Sequence, residues 1–444
     1  MSGELTRTLA EFALEHRYAE VPATTQAATL RTIRNAVGLA VGAAEHHSVV
    51  TTREVAGSLR AEPRLSLLGR EQQLGTFSAP LVNAMAMHVE DYDDTHLRTI
   101  VHPGAPIVPA ALGAAELAGA DGGEVCSGVL VGVEAALRVA NSICPEHFDL
   151  GWHLTGTAGH LGAAVAAGRV LGLTLDQLVA AIGLGVTQAA GFTSANGTMT
   201  KALHPGKAAA DGLEAALLAR RGFTGPAEPL VGRRGFATIA SPRLDVAEIL
   251  GDLGQRWEGE LNAIKPYACG IVSHAAIDAA KAVRAQVDAA DLDEIEVRIP
   301  KVVLEVMGIS DPGNALESKF SVRHCVAVGL VDGDGSPREF SDERAVAPDL
   351  VAVRDRVTPV IDSSVPKGAA VVRATTGDGR EFVEEVIHAT ASAERPMTDG
   401  ELAGKFRKLT EPRLGPSGAE HLWSAVEQLP AAPHVGDVVA ASRP

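Results

Sequence analysis

Cysteine is scarce in this sequence of 444 residues, and the four that occur, Cys126, Cys144, Cys269 and Cys325, lie far apart without a CxxC pair. This spacing excludes a disulfide framework and the usual cysteine-based zinc sites, and it is typical of a reducing compartment. Aromatic residues make up only 4% of the chain, whereas glycine occurs 46 times. Because small side chains let helices approach closely, we predict a helix-rich core of closely packed layers.

Positive charge is also in short supply. Lysine and arginine number 39 against 55 acidic residues, a formal net charge of −16, so we expect neither a nucleic-acid partner nor an anionic membrane. A few lysines in a cleft can still attract an anionic substrate. No uncharged apolar run is long enough to span a membrane, and the first residues, MSGELTRTLAEFALEH, lack the apolar core of a signal peptide. We therefore expect a cytoplasmic protein.

The first 260 or so residues have helical patterns almost throughout. The segment Thr174 to Gln177 has a capping-box pattern, and the helix before it is expected to end near Gly172. Another helix is expected to begin at Pro205, because proline is favoured at the first helical position.

The pattern changes after residue 263. Ile295, Val297 and Ile299 alternate with the period of a strand, and two β-rich runs flank residues 377–379 as in a hairpin. We predict a mainly α protein with a smaller α/β domain. The helical domain covers residues 1–262, the α/β domain covers 263–394, and a final helical segment, 395–444, packs back on the first domain.

The densest polar cluster lies between residues 87 and 110. Asp91 and Thr95 are four residues apart, which would place them on one face of a helix, and His102 follows at a turn before another helix. The alternative interpretation is an acidic helix end with solvated carboxylates. No HExxH or comparable ligand spacing occurs, so we expect no metal site.

Three further clusters carry candidate residues. His153 precedes a helix rich in small residues, although a lone histidine there is more often a capping or core residue. Lys201 and Lys207 flank the helix start expected at Pro205, where they would bind a carboxylate or phosphate unless they are two exposed lysines. A P-loop is rejected, because Lys201 occupies the position of its first glycine. Lys265 and Tyr267 fall at the predicted domain junction, a favoured place for small-molecule sites.

These clusters, in this order, resemble the MmgE/PrpD family. The matching segments are DYDDTH…HPG, GWHLTGT, TKALHPGKAAADG, KPYACG…SHAAIDA and ESKFSVRHCVA, the last being similar to the AKFSLQYCVA segment of the family. That family includes 2-methylcitrate dehydratase, cis-aconitate decarboxylase and iminodisuccinate epimerase. The resemblance covers roughly residues 5–430. It implies a two-domain homodimer with a cofactor-free site between the domains.

The resemblance also implies which residues form the site. Its functional positions correspond here to Asp91, Thr95, His102, His153, Lys201 and Lys265, and we add Lys207, Tyr267 and His324 to Thr95 as candidate substrate contacts. Two positions depart from the family pattern. His324 replaces the tyrosine of the QYC segment, and Gly270 stands where the decarboxylases carry histidine. The loop DDTHLRTIVHPG also differs from the DFNDTW form of 2-methylcitrate dehydratases.

Family substrates are small di- and tricarboxylates, and the candidate residues suit acid–base chemistry on them. Lys201 and Lys265 would stabilise charge that develops on a carboxylate, while His102 and His153 would move protons, with Asp91 as a further base or orienting group. Our first hypothesis is a 2-methylcitrate-dehydratase-like hydro-lyase. The alternatives are an epimerase of a dicarboxylate such as iminodisuccinate and a cis-aconitate-type decarboxylase. A non-catalytic helical scaffold would instead place these residues on separate surfaces.

Overall fold

A computed structural model describes residues 4–59, 62 and 64–444 of the chain. Helices dominate the part that precedes residue 262. They are α1 Leu5–Glu15, α2 Ala23–Gly42, α3 His47–Ser58, α4 Ser78–His88, α5 Gly104–Ala118, α6 Gly122–Ile143, α7 Glu146–Asp149, α8 Leu154–Val170, α9 Leu175–Val186, α10 Thr200–Arg220, α11 Phe236–Ala240 and α12 Val246–Leu250.

The rest of the chain mixes helices with a sheet. Its helices are α13 His274–Arg284, α14 Lys301–Val306, α15 Ala315–Ser318, α16 Val322–Val331, α17 Asp342–Ala345, α18 Pro348–Arg354, α19 Asp399–Gln428 and α20 Gly436–Ala441. The strands among the described residues are β1 Leu65–Ser66, β2 Gln73–Leu74, β3 Asp94–His96, β4 Asn262–Ile264, β5 Leu292–Ile299, β6 Val357–Ile361, β7 Ala370–Thr376 and β8 Glu381–Val386.

Four of the strands form one sheet in the order β6-β5-β7-β8. Strand β5 pairs parallel with β6 and antiparallel with β7, which pairs antiparallel with β8. The remaining strands make two short antiparallel ribbons, β1 with β2 and β3 with β4. The mainly α fold with a smaller α/β part is therefore confirmed.

Helix crossings in the larger part depend on glycine. A Cβ atom added at Gly132 of α6 would lie 2.6 Å from the carbonyl oxygen of Gly162 on α8. A Cβ atom at Gly212 of α10 would lie 2.4 Å from the Cβ atom of Ala163, again on α8. Because Cβ atoms do not approach this closely, only glycine permits these contacts. Helix α8 thus lies at the centre of the bundle and is buried along its whole length.

Two large apolar cores follow from this arrangement. One lies within the helical bundle and includes Leu422 and Val426 of α19, so the C-terminal helix packs against the first part of the chain. The other lies between the four-stranded sheet and helices such as α13 and α16. No helix in the described part of the chain is long and apolar enough to cross a membrane.

Several local predictions are confirmed and one is wrong. Thr174 and Gln177 form the expected capping box, and Gly172 has a positive φ of 66° after the end of α8. The two β-rich runs are β7 and β8. Helix α10, however, begins at Thr200 rather than at Pro205, which lies inside it. Pro205 lies beyond the first turn, where it removes the backbone hydrogen bond that its N–H would otherwise donate to the Lys201 carbonyl oxygen.

Candidate active site

The ribbon of β3 and β4 brings two distant candidate residues together. Asp94 pairs with Ile264 in antiparallel register, so Lys265, which follows β4, lies beside the residues that precede β3. The predicted helical face of Asp91 and Thr95 is wrong. Helix α4 ends at His88, Asp91 has a left-handed φ of 50°, and Thr95 lies in β3. Strand pairing with a distant segment outweighs the local helical spacing here.

Asp91 lies between two lysines. Its Oδ1 accepts a hydrogen bond of 2.5 Å from Lys201 Nζ, and its Oδ2 accepts one of 3.0 Å from Lys265 Nζ. Lys265 Nζ also donates to the Asp91 carbonyl oxygen at 3.1 Å. Burial by itself would raise the pKa of the Asp91 carboxyl, but the two ammonium groups hold this pKa well below its usual range. Lys201, Lys265 and Asp91 together carry one net positive charge.

His102 lies against the same ribbon. Its Nδ1 is 3.0 Å from the Asp94 carbonyl oxygen and 3.0 Å from Thr95 Oγ1. Because a carbonyl oxygen only accepts, Nδ1 carries the proton and Nε2 of the neutral ring is free to accept one. Burial, followed by the positive charges of Lys265 and Lys201, lowers the pKa of His102 well below its usual value. The resting imidazole is therefore a neutral base.

His88 and Asp93 extend this polar cluster behind Lys201. His88 Nδ1 is 2.6 Å from Asp93 Oδ2, and His88 Nε2 is 2.9 Å from Lys201 Nζ. An ammonium group can only donate, so His88 accepts at Nε2 and donates from Nδ1 to the Asp93 carboxylate. Burial raises the pKa of the Asp93 carboxyl to about 7, against the opposing effect of Lys265 and Lys201. A chain of hydrogen bonds thus runs from Asp93 through His88 to Lys201.

His153 precedes α8 and meets His204 of α10. Their Nδ1 atoms are 2.9 Å apart, and His153 Nε2 is buried with no hydrogen-bond partner among the residues that the structure describes. Burial and the charge of Lys201 lower the pKa of both rings, that of His204 to about 4 and that of His153 well below its usual value. Both histidines are neutral at rest.

One cavity unites the five residues predicted to be catalytic. Asp91, His102, His153 and Lys201 lie on its helical side, and Lys265 lies at the junction. Apolar side chains make up most of the remaining wall, namely Ile100, Phe148, Leu154, Ile271, Val272, Val306 and Phe320, and Thr193, Asn196 and Gly270 also line the cavity. This arrangement counts against the scaffold hypothesis, which expects the five residues on separate surfaces.

The cavity is narrow, with a free volume of about 40 Å³. This is room for one or two water molecules, so a polycarboxylate has to separate the walls as it enters. Ile100 on the wall has a positive φ of 61°, which is strained for a β-branched residue. The loop between β3 and α5 is thus held in an unfavourable conformation where it borders the cavity.

Four predicted substrate contacts lie away from the cavity wall. Thr95 is buried behind it and contacts His102. Lys207 forms an ion pair of 2.8 Å with Asp211, and its side chain is 43% exposed. The Tyr267 hydroxyl donates to Asp278, and His324 is fully buried with its Nε2 3.4 Å from the Glu339 carbonyl oxygen. Lys207, Tyr267 and His324 therefore have partners that hold them elsewhere, and we leave them out of the proposed substrate site.

A metal ion has one possible position among the described residues. Ligand atoms of His88, Asp93 and His102 lie within 4.8 Å of one another. Lys201 Nζ, however, is 2.9 Å from His88 Nε2 and would repel a second cation. The hydrogen bonds described above account for this cluster, and the absence of a metal requirement stays a prediction.

Sequence reasoning assigned no role to four residues that support the site. His88 and Asp93 flank Asp91, and His204 follows Lys201 by three residues, which is the spacing of one helical face. That spacing was the available signal for His204. Lys405 of α19 donates from Nζ to the Tyr92 and Lys265 carbonyl oxygens at 2.5 and 2.9 Å. Nothing local in the sequence connects it with residues more than a hundred positions away.

Similar proteins point to one family of enzymes. A cis-aconitate decarboxylase from Aspergillus terreus is 28% identical over 77% of this chain and 76% of its own length. A cis-aconitate decarboxylase-like protein, oryM, from Aspergillus oryzae is 25% identical over 99% of this chain and 97% of its own. The Mus musculus cis-aconitate decarboxylase is 27% identical over 79% of this chain and 75% of its own.

Family models agree with these relatives and with the resemblance of the five motifs. The MmgE/PrpD N-terminal domain matches residues 7–248, which hold Asp91, His102, His153 and Lys201. The MmgE/PrpD C-terminal domain matches residues 267–431, which include the four-stranded sheet and α19 for most of its length. Together the two matches span most of the chain. The chain therefore belongs to the MmgE/PrpD family.

Proposed function

We propose that this protein is a lyase that removes CO2 from a small polycarboxylate of the cis-aconitate type without a metal or organic cofactor. The observation that carries the proposal is the cavity in which two lysines and two histidines face an apolar wall. The names of the relatives support decarboxylation over the dehydration that the sequence motifs first favoured. Two of them are named cis-aconitate decarboxylases and the third a decarboxylase-like protein, and each matches this chain over three quarters or more of its own length.

The lysines suit the binding of a carboxylate. Lys201 and Lys265 each have an ammonium group with three donors, and two of them are used in each case. Lys201 donates to Asp91 and His88, and Lys265 donates to the carboxylate and the carbonyl oxygen of Asp91, so one donor of each lysine remains. The remaining donors can bind a substrate carboxylate and stabilise the charge that develops on it as the reaction proceeds. Such preorganised charge is worth most in a site from which water is excluded.

The apolar wall suits the departure of CO2. A carboxylate that loses CO2 disperses its charge in the transition state, so a poorly solvated environment disfavours the ground state more than the transition state. Ile271, Val306 and Phe320 supply such an environment in the same cavity, and Lys201 Nζ lies 5.5 Å from the centroid of the Phe320 ring. A substrate that places one carboxylate on the lysines and another against this wall is therefore oriented for decarboxylation.

The electrons and protons balance with the residues present. The bond between the CH2 carbon and the departing carboxylate breaks, and its electron pair forms a new C=C bond. The pair of the old C=C bond moves to the carbon beside a retained carboxylate, which the lysines stabilise. A proton from a protonated His153 completes the new C–H bond, and solvent restores that proton afterwards.

Dehydration of a 2-methylcitrate-type substrate is the second candidate, because of Gly270. The resemblance places a histidine of the decarboxylases at this position, and here a Cβ atom would lie 2.3 Å from Met307 Sδ. A larger side chain therefore requires Met307 to move. In a dehydration, His102 would accept a C–H proton at Nε2 and His153 would protonate the leaving hydroxyl. Epimerisation of a dicarboxylate would use the same two rings, whose centroids are 6.3 Å apart.

One experiment separates these reactions. The purified protein is incubated in deuterated water with cis-aconitate, citrate, 2-methylcitrate and an aspartate-derived dicarboxylate, and the products are followed by NMR. We expect CO2 from cis-aconitate and one deuterium in the new CH2 group of the product. An alkene from 2-methylcitrate without CO2 release would establish dehydration instead, and optical inversion would establish epimerisation.

Loss of activity with EDTA that a divalent cation restores would refute metal independence.

A further inference from the structure

The contact between His153 and His204 joins two helices at the cavity. His153 precedes α8 and His204 lies in α10, and their rings meet at a centroid distance of 5.1 Å with their Nδ1 atoms 2.9 Å apart. Two identical nitrogens at this distance form a hydrogen bond only if one of them carries a proton and the other does not. The tautomers of the two rings are therefore linked.

The loop after α9 holds both rings in place. The backbone N–H of His153 donates to the Gly191 carbonyl oxygen at 3.0 Å. Gly191 has a φ of 130°, and a Cβ atom there would lie 3.0 Å from Cγ of the His204 ring. One residue thus fixes the backbone of His153 and packs against the ring of His204. Only glycine combines this conformation with so close an approach.

Solvent exposure distinguishes the two possible tautomers. His153 is 7% exposed and its Nε2 has no hydrogen-bond partner within the described part of the chain, whereas His204 is partly exposed. A proton on His153 Nε2 would be a buried donor without an acceptor, which is rare in proteins. A proton on the outer nitrogen of His204 can instead be donated to water. The favoured arrangement has His153 donating from Nδ1 to Nδ1 of His204.

We propose that His204 is a positioning residue that orients His153 and lets it hold a second proton for transfer to substrate. With Nδ1–H bound to His204, His153 gains a proton at Nε2, delivers it to the substrate and returns to the same neutral tautomer. The part of His153 in proton transfer to substrate rests on the proposed function, whereas its hydrogen bond with His204 does not.

Other charged and titratable groups also face His153. Burial, the charge of Lys201 and any charge on His88 or His204 lower the pKa of His153, while the carboxylate of Asp91 raises it. The His102 ring lies farther away, with its centroid 6.3 Å from that of His153. A bound polycarboxylate adds negative charge beside these groups and therefore raises the pKa of His153. Neutral His204 supplies the acceptor that the Nδ1–H group of protonated His153 needs.

Two variants of His204 test the role in catalysis. His204→Asn keeps an oxygen near the position of Nδ1 that can accept the bond, and His204→Phe keeps a ring but removes the acceptor. We expect His204→Phe to lower kcat about 10- to 100-fold with KM changed less than about threefold. It should also shift the alkaline limb of the kcat profile, where His153 loses its second proton, to lower pH. His204→Asn should stay within about threefold of the wild type. The exposed His421→Phe is the control.

A measurement on the resting protein tests the hydrogen bond without any turnover. With 15N-labelled histidine, we expect His153 to show the Nδ1–H tautomer in the wild type and in His204→Asn, and a loss of that preference in His204→Phe. An unchanged tautomer in His204→Phe would overturn the proposal even if the enzyme proves to be a decarboxylase. So would equal rates for His204→Phe and the wild type. If no substrate turns over, the tautomer still decides whether His204 positions His153.

Discussion

Asp91 has the most unusual environment of any single residue in the site. Its left-handed backbone is costly for most residues, although aspartate tolerates it better than bulky side chains do. This conformation points the carboxylate between Lys201 and Lys265 and presents its carbonyl oxygen to Lys265. The two ammonium groups are thereby held side by side, at a distance where they would otherwise repel each other. Asp91 therefore holds two cations side by side, an arrangement that suits the anionic substrate we propose.

We expect kcat/KM to depend far more on Lys201 and Lys265 than on Lys207, the third lysine singled out in the sequence. Lys201→Met and Lys265→Met each remove one cation and should lower kcat/KM about 30- to 1000-fold, equivalent to about 2–4 kcal/mol of transition-state stabilisation. Lys207→Met is the matched control, because Lys207 pairs with Asp211 away from the cavity. Steady-state kinetics with the best substrate of the screen measures the effect. An equal loss in Lys207→Met would contradict this assignment of the site.

Protonation of the Asp93 carboxyl should make kcat/KM depend on pH. Its pKa is raised to about 7, so it loses its negative charge as the pH falls through 7, and its O–H group becomes a donor that competes for the site of His88 Nδ1. The tautomer of His88 that accepts from Lys201 is then held less firmly. We expect kcat/KM to decline below about pH 7 in the wild type.

The variant Asp93→Asn tests whether Asp93 causes this decline of kcat/KM at low pH. The amide oxygen accepts from His88 at every pH, so the variant should be slower overall but should lack the limb near pH 7. Rates measured from pH 5.5 to 9 with a fixed substrate provide the comparison. A limb that persists unchanged in Asp93→Asn would assign it to another group.

At the scale of secondary-structure elements, close helix contacts place the catalytic side chains. Lys201 and His204 lie at the start of α10, and His153 lies at the start of α8, so the contact of α8 with α10 sets the distance between these groups. Gly212 lies at that contact, where a Cβ atom would be 2.7 Å from the backbone nitrogen of Ala164. A backbone atom cannot move aside as a flexible side chain can. The crossing of the two helices is therefore sensitive to one methyl group.

Gly212→Ala should destabilise the protein by about 1–3 kcal/mol, because overpacking at the contact exceeds the gain in helix propensity. Gly404→Ala in α19 is the matched control. A Cβ atom there meets nothing within 4 Å, so this change should stabilise the protein by up to about 1 kcal/mol. Chemical denaturation monitored by circular dichroism measures both. Equal effects of the two changes would show that the contact of α8 with α10 is not as close as described.

At the scale of the whole molecule, the cavity depends on both parts of the chain. The helical part supplies the carboxylate, the histidines and Lys201, while Ile271, Val306 and Phe320 come from the part that contains the large sheet. Helix α19 ties them together, since it packs in the helical core and its Lys405 bonds to the backbone on both sides of the ribbon. Changes in how the two parts pack therefore alter the width of the cavity directly.

We also expect a homodimer, as the family resemblance implies. Large apolar side chains that are well exposed in the single chain are suited to a subunit contact, among them Leu150 at 62%, Phe192 at 56% and Ile239 at 71%. Light scattering after size-exclusion chromatography should give twice the 45.9 kDa of one chain. A particle of 45.9 kDa at micromolar concentration would show that the prediction is wrong.

Local patterns in the sequence were sufficient to predict features that depend on a few adjacent residues. The capping box at Thr174, the left-handed Gly172 and the hairpin of β7 and β8 are of this kind. Their backbone hydrogen bonds are made within one turn or between neighbouring strands, so the residues that determine them are close in the sequence. The same holds for the change from helical to strand periodicity after residue 263, which indicated the fold class.

Contacts between distant segments were decided only by the tertiary structure. Asp91 has the spacing of a helical residue, yet the pairing of β3 with β4, about 170 positions along the chain, makes its segment a turn and a strand. His204 became a partner of His153 because α8 and α10 pack closely, and Lys207 turned away to Asp211 on its own helix. Such choices depend on which surfaces bury each other, and no window of adjacent residues contains that information.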